Sequence, residues 1–262
     1  MTHQAFSLEA FRKRHQISRQ HTTLQIVSLL RDYCTAHTWL AGGSVMSFVQ
    51  SRNHSADYDF FFSSAEALVF LQENLEGLGA TKTFESEHAL TYTLNTFKIQ
   101  LIKRRYYVTI EDIFLDFDLT ISMLAIPMNT PPGVQMQLLC GPYSLWDLSN
   151  KEIRIQNVNS LGHTFKRVIK YGAKGFKIPS ETYTNLMEFF TLHTRLDVAI
   201  TEAVATSGAV WDGDVPPGAH TVDLAQIGTR HLQTLPGTSP AVLGALQTMA
   251  VSLATTSGGY DF

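Results

Sequence analysis

The sequence predicts an α+β fold, and three observations carry the prediction. Between about residues 22 and 148, segments of helical period alternate with short apolar or alternating runs. A glycine pair, Gly42-Gly43, separates one strand-like run from the helix-like run after it. From about residue 160 onward the patterns are helical only. Together they divide the chain into a basic N-terminal arm or short helix (1–21), a core flanked by helices (22–150) and a mainly helical C-terminal subdomain (151–262).

The elements follow in order. Phe6, Ala10 and Phe11 among charged residues predict a short helix near Leu8 to Ser18. Leu24, Ile26, Val27, Leu29, Leu30 and Tyr33 recur at helical spacing and predict an amphipathic helix from Thr22 to Thr35. Trp39-Leu40-Ala41 is a short strand that Gly42-Gly43 breaks, and Ser44 can cap a helix to about Gln50. Arg52 to Ser55 is a polar loop, and Asp57 to Phe62 is the next strand. Ser63-Ser64 opens a helix from Ala65 to Leu78, with Glu66 near the capping-box position. Leu90 to Leu94 and Phe97 to Ile102 form a hairpin about Asn95-Thr96. Ile110 to Phe117 is helical, and the branched run Leu119 to Ile126 is a buried strand. Helices are then expected at Leu161 to Tyr171, Ser180 to Thr194, Asp197 to Thr206 and Ser239 to Thr255. Asp212 to Gly218 is a loop by composition.

Composition excludes several classes. With 44 % hydrophobic and 16 % charged residues the chain reads as soluble and globular. No apolar run approaches the ~20 residues that span a bilayer, and Met1 to Gln20 is polar and basic, so the expected location is cytoplasmic. A net charge of −3 excludes a globally basic nucleic-acid surface. Cys34 and Cys140 lie in apolar surroundings without metal-ligand spacing and read as buried free thiols. Ten histidines include no HxxxH pair, and neither a P-loop nor a Gly-x-Ser-x-Gly elbow is present.

The chemistry concentrates in Gly42-Gly43-Ser44 and Asp57-Tyr58-Asp59. Gly lets a backbone approach phosphate closely, and N–H groups at a helix start offer it partial positive charge. Asp57 and Asp59 share one face of a strand because side chains alternate, which leaves Tyr58 to the core. Two carboxylates so placed repel each other unless a cation sits between them. Each motif alone is common in turns and strand edges; their order, with a helix-length gap and the apolar flank Phe60-Phe61-Phe62, is more specific.

In this respect the chain resembles the nucleotidyltransferase superfamily, which includes DNA polymerase beta, CCA-adding enzymes and minimal nucleotidyltransferases. The resemblance implies a small mixed-sheet core, a nucleoside triphosphate bound through Gly42, Gly43 and Ser44, and Mg²⁺ or Mn²⁺ on Asp57 and Asp59. It implies transfer of a nucleoside monophosphate to a hydroxyl of RNA, a protein or a small molecule. The family pattern has a third carboxylate on a neighbouring strand. By order of elements that position falls at Gln100, a neutral amide; Asp118 is the other candidate for a catalytic metal ligand, with Asp116 two residues earlier. The run Arg167 to Phe176 resembles the segment that follows the family's catalytic core and brings Lys170 and Lys174 to the nucleotide or acceptor. Lys166, Lys170, Lys174 and Lys177 would share a face of an unbroken helix, but Gly172 and Gly175 argue that it turns earlier. Arg52 and His54 could also touch phosphate from their polar loop. A second reading is a nucleotidyltransferase fold without turnover, serving as a nucleotide- or nucleic-acid-binding module; Gln100 favours it.

Overall fold

The computed structural model describes residues 2–53, 57–131, 133–158 and 161–180, with residues 182 and 184. The chain divides into two units, Met1–Asn159 with Val168–Pro179 and Ser160–Arg167 with Ser180–Phe262. Of the helix expected at 180–194 only residues 180, 182 and 184 are described, and the helices expected at 197–206 and 239–255 and the loop at 212–218 lie outside the described residues. So does His54.

In chain order the first unit runs β1 (Gln4–Ser7), α1 (Leu8–Arg14), α2 (Thr22–Leu30), β2 (Thr38–Ala41), α3 (Gly43–Val49), β3 (Tyr58–Phe62), α4 (Ala65–Gly77), β4 (Thr81–Glu85), β5 (Ala89–Leu94), β6 (Phe97–Ile102), α5 (Ile110–Asp116), β7 (Leu124–Pro127), β8 (Gln137–Cys140) and α6 (Ser144–Asn150). Helix α7 follows at Leu161–Ala173. The strands make one mixed eight-stranded sheet in the order β1-β8-β7-β2-β3-β6-β5-β4. Among the described strands of the sheet only β3 and β6 pair in parallel; α4, β4 and β5 make the crossover between them.

Period-two alternation sends the apolar residues of β3 into two cores. Tyr58, Phe60 and Phe62 join one cluster with Val45, Met46 and Phe48 of α3 and Leu68, Leu71 and Leu75 of α4. Phe61 joins the other, with Trp39, Tyr107, Ile113, Phe114 and Phe117. Asp57 and Asp59 therefore share the Phe61 side of the strand. Local signals fix the helix starts: Ser64 accepts the Ala67 N–H, and Thr109 with Asp112 closes a complete capping box on α5.

The structure departs from the sequence expectations in four places. Residues 4–7, read as part of a basic arm, pair with β8 at the sheet edge. Helix α2 ends at Leu30, and a 3-10 turn covers Arg31–Tyr33. The single strand expected over 119–126 is a 3-10 turn at Thr120–Ser122 followed by β7, because Thr120 bonds to Asp147 and to the Arg154 carbonyl rather than to a ladder. Finally β4, β8 and α6 had no strong pattern: β4 is exposed along its whole length, so it lacks the apolar alternation that marks a half-buried strand. The hairpin about Asn95 is as expected, with Asn95 at φ +55°. Cys34 and Cys140 are buried free thiols, each pushed up to about 12 by burial.

Candidate active site

Strand β2 ends into Gly42, which sits at φ +79° and ψ −134°, a backbone state open to glycine and strained for other residues. Its N–H donates to the Leu124 carbonyl at 2.9 Å, and its carbonyl accepts the Met46 N–H at 2.9 Å. A Cβ built on Gly42 would lie 3.5 Å from Phe117 Cζ and 3.8 Å from Asp59 Oδ2. The glycine turn and the second aspartate are therefore neighbours. Those contact distances are ordinary, so the strain at position 42 comes from the backbone. Gly42→Ala is expected to lower stability by about 1–3 kcal/mol in denaturant titration. Gly43→Ala is expected to leave it nearly unchanged, because a Cβ there meets nothing within 4 Å.

Register completes the arrangement. Asp59 stands between Ala41 of β2 and Gln100 of β6, so the amide is its neighbour across the parallel pair. Beyond Gln100 lies Thr91 of β5, which is buried. Asp57, just before β3, has Lys98 Nζ 2.9 Å from its Oδ1. Sequence reading missed Lys98. Alternation was the available signal, since Lys98 lies two residues before Gln100 and so on the same face of β6.

Asp118 is not brought into a triad. Among the described residues no three Asp, Glu, His or Cys side chains converge closely enough to hold one ion. Asp118 lies in the connection after α5 and is nearly buried, and its carbonyl accepts the N–H groups of Gln156 and Asn157. Asp116 is committed elsewhere: Tyr107 Oη donates to it at 2.6 Å and Arg105 at 3.2 Å. Ser44 is fully buried, and its Oγ has no hydrogen-bond partner among the described residues.

A basic group is built elsewhere in the unit by local chemistry. His21 is buried; its Nε2 donates to the Arg52 carbonyl at 2.8 Å while its Nδ1 accepts the Thr23 N–H. The acceptor role of Nδ1 needs the neutral ring, and burial pushes this imidazole below its usual range. Asn53 is tied to Thr22 by two further bonds, so Arg52 is held at the start of α2 rather than on a free loop. Lys174 follows the end of α7, with its Nζ 5.4 Å from the Tyr171 ring centroid. Burial, then the neighbouring Lys170 and Arg52 cations, hold its ammonium below the usual lysine range. Lys174 thus senses both of the other cations, and none of the three makes an ion pair among the described residues. Lys177 leaves this face: Gly175 turns the chain at φ +83°, and Lys177 pairs through its backbone with Lys151 and Ile153.

Comparison with known proteins places this geometry. Residues 9–151, over half of the chain, match the model of the family described as Gad2, Gabija anti-defense 2 family protein. Among solved structures, a Thermotoga maritima CCA-adding enzyme complexed with tRNA is similar with a TM-score of 0.55 at 18 % identity, over 70 % of this chain and 45 % of that one. A CCA-adding enzyme in complex with ATP gives 0.57 at 18 %, over 70 % and 46 %. A tRNA nucleotidyltransferase complexed with a primer tRNA and an incoming ATP analogue gives 0.52 at 17 %, over 90 % and 64 %. The chain thus spans less than two thirds of each of these structures, and identities this low establish the fold alone. No curated protein matches the sequence.

Proposed function

The chain belongs to the Gabija anti-defense 2 (Gad2) family, and from that premise we propose that it binds a nucleoside triphosphate with Mg²⁺ or Mn²⁺ at Asp57 and Asp59. It then transfers the nucleoside monophosphate to a hydroxyl acceptor with release of pyrophosphate. One observation carries the reading: Asp59 lies against the Gly42 turn, with Asp57 next on the same side of β3. The donors suit a hard divalent cation, because two carboxylates and the oxygen of Gln100 are all oxygen ligands. The orphaned Ser44 Oγ and the open space at Gly43 suit the approach of phosphate oxygens. When bound, the cation would offset triphosphate charge and polarise the phosphorus that is attacked. Asp57 and Asp59 would hold it.

The basic group gives the triphosphate or acceptor a second contact. Replacing Lys170 and Lys174 together by Gln is expected to weaken nucleotide binding severalfold at 0.05 M salt. At 0.5 M the effect should shrink, since exposed charges are screened over a few ångströms there. Calorimetric titration at both salts checks this, and an equal loss at both would return the lysines to a merely solvated role.

The acceptor is open to assay. The structures that this fold resembles carry tRNA, ATP and CTP in their descriptions. Because the family is described as acting against the Gabija defence, a component of that defence is a further candidate acceptor. Incubation with each α-labelled triphosphate, Mg²⁺ or Mn²⁺, and either RNA or purified defence proteins tests transfer directly. Label on an acceptor supports the enzyme. Gln100 in place of a third carboxylate favours the second reading, a nucleotide-binding module without turnover, and tight binding with no labelled product would support that.

A further inference from the structure

Lys98 is a basic side chain in direct contact with the aspartate pair, its Nζ 2.9 Å from Asp57 Oδ1. As a stabilising ion pair it contributes little, because its side chain is 45 % accessible and water screens such a contact. Its position is more informative. β6 presents Lys98 and Gln100 to the same side as Asp57 and Asp59, so this part of the sheet holds two carboxylates, one ammonium and one neutral amide. A face with three carboxylates can hold two divalent cations; this one, with a formal charge of −1, is matched to a single divalent ion.

We propose that Lys98 supplies the charge of a second cation, so that the site takes one divalent ion per bound nucleotide instead of two. This rests on the nucleotide-binding reading above and specifies its metal requirement. An ammonium fixed to Asp57 occupies the oxygen that a second ion would share with the first. It also repels an ion placed within a few ångströms. Yet it still presents positive charge to a polyanionic triphosphate. Gln100 contributes by omission: an amide oxygen can ligate one ion but adds no charge to retain another.

The test counts ions by electron paramagnetic resonance, with Mn²⁺ as the probe and a non-hydrolysable ATP analogue present. Wild-type protein is expected to bind one Mn²⁺ per chain. Lys98→Glu is expected to bind a second, and Lys98→Ala to bind the first about tenfold more tightly without nucleotide. Lys98 is exposed, so the variants should fold, which circular dichroism checks; the wild-type count decides in any case. Two ions in the wild type, or a Lys98→Glu variant unchanged in both count and affinity, would overturn the proposal while leaving nucleotide binding in place. Failure to bind either Mn²⁺ or the analogue would overturn the nucleotide reading itself.

Discussion

Asp59→Asn is expected to reduce nucleotidyl transfer by about a thousandfold or more and to leave the fold intact. The substitution keeps the side chain's shape and removes one unit of negative charge between Ala41 and Gln100. A divalent ion at the reacting phosphorus contributes several kcal/mol to the barrier, and each 1.4 kcal/mol or so is a factor of ten. Among the described residues no third carboxylate converges on the pair, which leaves Asp57 as the remaining charged ligand there. Thermal unfolding should change little, because Asn is nearly isosteric and two like charges no longer oppose each other. Asp116→Asn is the matched control. Its carboxylate serves Tyr107 and Arg105, so transfer should persist while stability falls modestly. Rates measured for both variants on the same acceptor separate loss of chemistry from loss of structure.

Phe60→Ala is expected to cost about 3–5 kcal/mol of stability, a large part of the roughly 5–15 kcal/mol that a domain has. Phe60 is fully buried and belongs to the cluster that packs β3 against α3 and α4. Removing the ring leaves a cavity in the middle of the sheet that backbone on both sides keeps from collapsing. Because a unit of this size loses about 2–4 °C per kcal/mol, the melting temperature should fall by roughly 10 °C. Asp59 is the next residue along β3, so the same change should loosen the site. Saturating Mg²⁺ and nucleotide should restore part of the lost stability, since a ligand of the native state stabilises it. Calorimetry with and without ligand checks both statements; a variant that melts like the wild type would show that β3 is not anchored as described.

Much of the site was legible because it is local. Gly42 needs glycine for its backbone state, Asp57 and Asp59 share a face by alternation, and the hairpin about Asn95 fixes where β6 begins. The order of elements offered Gln100 beside Asp118 as the third position, and the register sets Gln100 next to Asp59. The edges of the sheet were not legible, for physical reasons. β1 and β8 are four residues each and exist because they pair with strands distant in sequence. β4 is held by its ladder to β5 while its side chains face water. Lys98 was hidden for a different reason, since a lysine on a strand face usually means solvent, and only the approach of Asp57 gives it a role. Arg52 likewise looked like a loop residue until the bonds of His21 and Asn53 fixed its backbone.

The most direct measurement is a crystal structure of the full chain soaked with Mn²⁺ and a non-hydrolysable triphosphate, with anomalous data to locate the metal. The expected result is Mn²⁺ on the carboxylates of Asp57 and Asp59, with the triphosphate lying along the Gly42 turn. A nucleotide bound away from β3, or metal density that does not touch either aspartate, would contradict it.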